Sequence, residues 1–220
     1  VCSSDLNYRE RIEEGLRYIA QHIRAGGFLP YWPGGHGANP YVTVQAAWVV
    51  AECRQLEYTI PQGLDDQLQK ALDAVIRGRK KSSRGTRAFA LFVHSKSKAG
   101  AKPVDVLEEL YLHRDQLGDE TRAMLALAMH NYDVMPAEQR LLAREIDNAP
   151  PRGSFDPVNF YSSKRAKAVA YMAQSRIADP QWSRELEPRM RNTLLDMMDD
   201  SFHLSTQENL WLLMALTTML

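Results

Sequence analysis

Residues Gly26 to Val50 read GGFLPYWPGGHGANPYVTVQAAWVV. The first fifteen of them hold five of the chain's twelve glycines and three of its eleven prolines, with Phe28, Tyr31 and Trp32 set between, and the segment then turns abruptly apolar. Val42 and Val44 alternate with polar neighbours as in a strand, but QAAWVVAECRQL carries helix formers and is too long for one strand, so Tyr41 to Tyr58 is predicted as a helix. Ahead of it, glycines supply positive φ angles and aromatic rings supply apolar bulk. The expectation is a tight loop whose rings plug a core, set directly before a buried helix.

Outward from this stretch the periodicity is helical nearly throughout. Ile12, Leu16, Ile19 and Ile23 are spaced four, three and four apart, which places one apolar stripe on a helix from about Tyr8 to Arg24, stopped by Gly26 and Gly27. Further helices are predicted at about Gln62 to Arg77, Arg87 to Ser95, Val104 to Leu117, Glu120 to Asn131, Pro136 to Asp147, Ser162 to Ile177, Gln181 to Met198, and from Thr206 onward. The connections PQG, RGRKKSSRG, KAGAKP, LGDE, NAPPRGSFDP and ADP carry the turn residues. Ser205 with Glu208 three positions on forms a capping box ahead of LWLLMAL. GSFDPVNFYSS from Gly153 faintly echoes GGFLPYW, which suggests helical hairpins joined by aromatic loops in a closed or stacked array.

Composition bounds the class. The 220 residues are 45% hydrophobic and 25% charged, ordinary values for a globular protein. The 27 basic and 27 acidic residues cancel, which argues against whole-domain attraction to nucleic acid or to an anionic membrane. No apolar run reaches the eighteen or so residues of a transmembrane helix, and the residues as given show no basic n-region followed by an apolar core. VCSSDL back-translates to GTG TGC TCT TCC GAT CT, which reads as a ligated adapter end, so residues 1–6 are expected to be an artefact ahead of a fragment of a longer protein. Cys53, on an apolar helix, is expected to be a small buried hydrophobe.

Catalytic signatures fail one by one. Pro40 stands where a dinucleotide fingerprint after Gly35-His-Gly37 needs its third glycine, and no P-loop is present. His113-Arg114-Asp115 has Glu120 where a kinase loop needs Asn, and Ser95 to Lys98 lacks the partner motifs of serine acyl-transferases. The histidines at 22, 36, 94, 113, 130 and 203 are scattered, so no metal ligand, cofactor-binding or catalytic residue is assigned. Asp196, Asp199 and Asp200 run in reverse of the usual prenyl-diphosphate order and read as solvated. Arg77 to Arg87 holds six basic residues within eleven and reads as an exposed flexible loop.

Three places in order carry a family likeness: GGFLPYWPGG with PYVT, including Gly27, Phe28, Tyr31, Trp32, Pro33, Gly34, Tyr41 and Thr43; ETRAMLALAMH from Glu120 to His130; and STQEN, Ser205, Thr206, Gln207, Glu208 and Asn209. With them the chain, from Asn7 to Leu220, resembles the thioester-containing, complement-like domain of bacterial alpha-2-macroglobulins. The resemblance implies an all-α fold, an α/α toroid of helical hairpins, here an incomplete ring over residues 7–220. It implies part of a large periplasmic or cell-envelope molecule, not an enzyme, that traps proteases. Its partners would be those proteases and the other domains of the parent protein. In the family a buried thioester, built from Cys and Gln of a C-x-E-Q motif, acylates the captured protease, and a helical shell keeps water from it.

The chain departs from that pattern at its cysteines, because neither Cys2 nor Cys53 is followed by x-E-Q. The motif is expected on an earlier helix upstream of the glycine-aromatic loop. A histidine assisting acyl transfer would be His36 or His94 by region. The motif residues themselves read as structural, with Phe28, Tyr31 and Trp32 closing one end of the toroid. Two other readings stand beside this one. A toroid enzyme of the terpenoid cyclase or prenyltransferase type calls for an aromatic-lined apolar pocket, and a helical-repeat binding module calls for no chemistry at all.

Overall fold

A computed structural model describes residues 3–97, 101–148, 162–199 and 205–218. The helices are α1 (Ser3–His22), α2 (Pro40–Gln55), α3 (Leu64–Ile76), α4 (Arg84–Ser97), α5 (Val104–Leu112), α6 (Asp119–Tyr132), α7 (Pro136–Asn148), α8 (Ser163–Ile177), α9 (Pro180–Asp199) and α10 (Thr206–Thr217), with short 3₁₀ turns at Ala25–Gly27 and Arg114–Gln116. Among the described residues there is no strand, only an isolated bridge between Pro30 and Ala38. The fold is all-α, as the periodicity predicts. The chain divides into two compact units, Val1–Gly100 and Ala101–Leu220.

In the first unit α2, α3 and α4 pack against one another. Helix α2 begins where Asn39 caps it, its side chain accepting from the Val42 amide at 3.1 Å, and where Pro40 brings a φ already suited to a helix. Helix α3 is amphipathic and buries Leu64, Leu68, Ala71, Leu72, Val75 and Ile76. Ala88 to Val93 of α4 are all buried. Tyr41 and Trp48 of α2 meet Phe89 of α4 at ring-centroid distances of 6.0 and 6.1 Å, the centre of this unit's core. Helix α1 is more lightly held. Leu16 is buried and Ile19 and Ile23 are half-buried, but Ile12 stays at the surface, so the predicted stripe is only partly covered.

In the second unit α6 packs on α7 and α8, and α8 packs on α9 and α10. Helix α6 is apolar all round, and Ala123 to Met129 are buried on every side. Helices α7 and α9 carry their apolar residues on one face, with Leu142 and Ala143, and Leu186, Met190 and Leu194, turned inward. The segment predicted as one helix to Leu117 stops instead at Leu112, and the chain continues as the 3₁₀ turn at Arg114–Gln116. The echo at Gly153 and the side chains of residues 1–6 lie outside the described residues, as do Lys98, the Asp199 side chain, Asp200 and His203.

The opening loop corrects one expectation and supports another. Phe28 and Leu29 are buried, but Tyr31 is 38% and Trp32 69% exposed, so these two rings close no core. They sit past the Pro30–Ala38 bridge, at the tip of a turn that projects from the helices. The glycines behave as predicted at Gly26, Gly27 and Gly34, with φ of 81°, 81° and 83°. Gly27 is constrained twice, because a Cβ there would also lie 2.0 Å from the carbonyl oxygen of Gln67 in α3. Gly27→Ala is therefore expected to cost about 3 kcal/mol or more, through backbone strain and displacement of α3. Trp32→Ala should change stability by less than about 0.5 kcal/mol. Urea denaturation of both variants checks the pair, and similar losses would contradict this account of the loop.

Candidate functional site

The motif residues gather at two places, one in each unit. In the first unit Thr43 fastens the loop to α2. Its hydroxyl donates to the Asn39 carbonyl at 2.7 Å and accepts from the Leu29 amide at 3.0 Å. The Asn39 amide donates to the Leu29 carbonyl at 2.7 Å, so both backbone groups of Leu29 are satisfied by the start of α2. This is what P-Y-V-T contributes: Pro40 starts the helix, Tyr41 enters the core, and Thr43 carries the hydroxyl that holds the loop. At the tip the Gly35 amide donates to the Trp32 carbonyl at 2.9 Å around Pro33 and Gly34, the residue pattern of a type II turn. Arg24 braces the turn from below through a 2.8 Å bond from Nη2 to the Gly35 carbonyl.

Among the described residues of this unit nothing assembles a nucleophile with a base. Cys53 is buried, and burial, followed by the charge of Glu52, pushes its thiol up, which leaves it the inert hydrophobe its helix predicts. His36 is exposed on the loop, and His94 is half-buried on α4. Burial lowers the His94 pKa, with Asp73 opposing and Arg77 adding to the shift, so its imidazole is neutral at pH 7. Trp48 Nε1 donates to Glu52 Oε1 at 2.7 Å, and Lys96 Nζ donates to the same oxygen while lying over the Phe92 ring. Ser95 is buried and donates to the Phe92 carbonyl at 2.6 Å, a helix-internal bond rather than an activated hydroxyl.

In the second unit the other two motifs meet through a residue that neither contains. Arg165, in the first turn of α8, is 2% exposed. Its Nε and Nη2 donate to Glu120 Oε2 at 3.2 and 3.0 Å, and its Nη1 donates to Gln207 Oε1 at 3.0 Å. Beside it Ser162 caps α8 and donates to Glu208 Oε1, while Glu208 Oε2 accepts from the Ser205 amide at 2.7 Å in the predicted capping box. The N-termini of α6, α8 and α10 therefore converge, and the carboxylates of Glu120 and Glu208 lie where three helix dipoles are positive. Burial pushes the Glu120 carboxyl up, and the Arg165 charge and hydrogen bonds pull against that shift. For Glu208 burial also pushes up, but hydrogen bonds from Ser162 and Ser205 and the charge of Lys164 outweigh it and leave the carboxyl below the usual range.

The remaining sequence candidates fall into structural contacts. His113 shares a 2.9 Å hydrogen bond with the Glu109 carbonyl. Arg114 lies over the Tyr111 ring and reaches Glu145 at 3.3 Å, and buried Arg122 of the ETRAM stretch donates to the Arg114 carbonyl at 2.9 Å. Asp196 is exposed on α9. A cleft of about 160 Å³ beside α8 and α9 is lined by Gln174, Ser183, Leu186, Met190 and neighbours, none aromatic, unlike the pocket that a cyclase calls for. The basic segment is not free chain either. Arg77 and Arg79 reach Asp73 at 2.7 and 3.4 Å, Arg87 donates to the Ile76 carbonyl at 3.0 Å, and Arg84 opens α4.

These two fastenings belong to an all-helical class of domain, and comparison with solved structures places the fold within it. The chain matches native alpha-2-macroglobulin of Escherichia coli, solved from domain MG7 to the C-terminus, with a TM-score of 0.82 and 17% identity over 100% of this chain and 36% of that one. It matches Salmonella alpha-2-macroglobulin reacted with methylamine with a TM-score of 0.80 and 18% identity over 99% of this chain and 15% of that one. Against E. coli alpha-2-macroglobulin activated by porcine elastase the TM-score is 0.75, with 16% identity over 93% of this chain and 19% of that one. This protein has the fold of a helical segment of the bacterial alpha-2-macroglobulins, and it spans about a third or less of the chains it matches. No protein-family model matches it, and no curated protein matches it.

Two results are expected at the second fastening. Arg165→Met leaves Glu120 buried without its partner and should cost about 3–5 kcal/mol, whereas Arg165→Met combined with Glu120→Leu should recover a large part of that loss. Strictly additive losses in urea denaturation would contradict a coupled pair. The depressed Glu208 pKa means that its ionised form stabilises the fold above the usual glutamate value of 4.5, and that this contribution is lost as the pH falls through the lower folded value. Glu208→Gln preserves the capping-box acceptor but not the charge. It should lose no more than about 1 kcal/mol at pH 7, and the difference from wild type should shrink as the pH is lowered below the usual glutamate value, as read by thermal melts across that range.

Proposed function

We propose that this chain is part of the helical, thioester-type domain of a bacterial macroglobulin-like protease trap, acting in the periplasm or cell envelope as an inhibitor of broad range rather than as an enzyme. The observation that carries the reading is the match in fold over 93 to 100% of the chain to native, methylamine-reacted and protease-activated bacterial alpha-2-macroglobulins. The order of the three motif stretches supports it from the sequence side. In this reading residues 7–220 are an incomplete α/α toroid, and residues 1–6 are not native.

The chemistry assigned to the parent is acyl transfer. A lysine amine of the captured protease attacks the thioester carbonyl, the C–S bond breaks as the amide forms, and the cysteine leaves as a thiolate while the amine gives up its proton. A thioester survives only where water is kept from it, and a shell of tightly packed helices suits that task. The reacting Cys and Gln belong upstream of Gly26. Cys53, buried and with a raised pKa, takes no part. The motif residues of this chain hold the shell: Thr43 closes the first loop, and Gln207 and Glu208 join α10 to the start of α8, where Arg165 in turn holds Glu120 of α6. Target proteases and the other domains of the parent are its partners.

The test is to express the whole open reading frame that contains this chain and incubate the product with elastase or trypsin. A trap leaves the protease active on a small chromogenic peptide but inactive on a large protein substrate. Protease that still digests the large substrate at its free rate would overturn the proposal.

A further inference from the structure

The basic segment lies on the same unit as the exposed aromatic tip and meets the buried base of the loop that carries it. Lys80 Nζ lies 5.5 Å from the centroid of the Phe28 ring, and Arg24 Nη2 holds the Gly35 carbonyl at 2.8 Å, so cations flank the loop at its base. Arg77, Arg79, Lys81 and Arg84 are exposed around the end of α3 and the start of α4. No acidic residue occurs from Ala74 to Val104, and residues 1–100 carry fourteen Lys and Arg against nine Asp and Glu, so this unit is basic although the whole chain is neutral. Ala25 to Ala51 contain no Asp, Glu, Lys or Arg at all. The tip is thus uncharged and aromatic, and its flank is cationic.

We propose that this face docks on a bilayer surface rich in anionic phospholipid, with Trp32 and Tyr31 entering the headgroup layer and the Arg77 to Arg84 turn lying over the phosphates. Trp and Tyr favour the membrane interface, where the ring is apolar and its polar edge stays wet, and each nearby Lys or Arg adds attraction to an anionic leaflet. The segregation of rings from charges distinguishes this surface from one for nucleic acid, which interleaves cations with flat stacking platforms. Here the two rings meet edge to face at 82° and a centroid distance of 5.0 Å. The tip is also braced before any contact, by the Pro30–Ala38 bridge, the Trp32–Gly35 turn and Arg24, so little order remains to be gained on docking.

Flotation of the 220-residue chain with vesicles tests the proposal. The chain should float with phosphatidylcholine vesicles that contain phosphatidylglycerol, should not float with phosphatidylcholine alone, and should be released by about 0.5 M salt. Trp32→Ala should weaken binding several-fold. Lys81→Glu with Arg84→Glu should weaken it about tenfold or more, and unchanged thermal melts show that both variants are folded. The absence of flotation, equal flotation with neutral vesicles, or undiminished binding by Trp32→Ala each overturns the proposal. Loss with the charge variant alone would leave a general polyanion surface instead.

Discussion

A guanidinium withdrawn from water needs every donor it can place, and Arg165 places its donors on two other helices. The bonds to Glu120 and Gln207 fix where α6, α8 and α10 begin relative to one another, and the apolar faces of α6 and α8 can then pack along their length. Breaking one side of such a contact strands a buried charge, which makes the arrangement selective rather than merely adhesive. Glu208 adds a second tie between the same helix starts, because its two oxygens serve the Ser162 hydroxyl and the Ser205 amide. The capping box of α10 is therefore both a local helix signal and a tertiary contact.

The first unit solves a similar problem with neutral groups. A loop dense in glycine and proline has few ways to satisfy its own backbone, and Thr43 and Asn39 supply the missing partners at Leu29. Gly27 lets the chain pass close to α3, where a side chain has no room. In both units one end of a buried helix is organised by a polar group at its first turn, and the connecting helices α3, α7 and α9 carry the clearer amphipathic patterns.

Much of this is legible in the amino-acid sequence. Helical period and turn residues located the helices, because a stripe such as that of α3 has no other stable use in water. The Ser205–Glu208 box was legible because its geometry is local. Trp32 reads as core because a large ring is usually well covered, but the loop is buried only from Gly27 to Pro30, and past the Pro30–Ala38 bridge Tyr31 and Trp32 lie exposed. Arg165 stands in none of the three motifs, although the sequence carries a signal for it. It lies four and seven positions before Val169 and Met172, on the stripe that α8 buries, where an arginine demands a partner. Those partners lie 45 and 42 residues away in the chain, and no local pattern points that far.

The proposal that this helical chain serves within a larger macroglobulin-like trap is open to one decisive measurement, the genomic sequence upstream of Asn7. An open frame that continues upstream through a C-x-E-Q motif on an earlier helix is the expected result. A start codon close to Asn7, with no such frame before it, would contradict the claim.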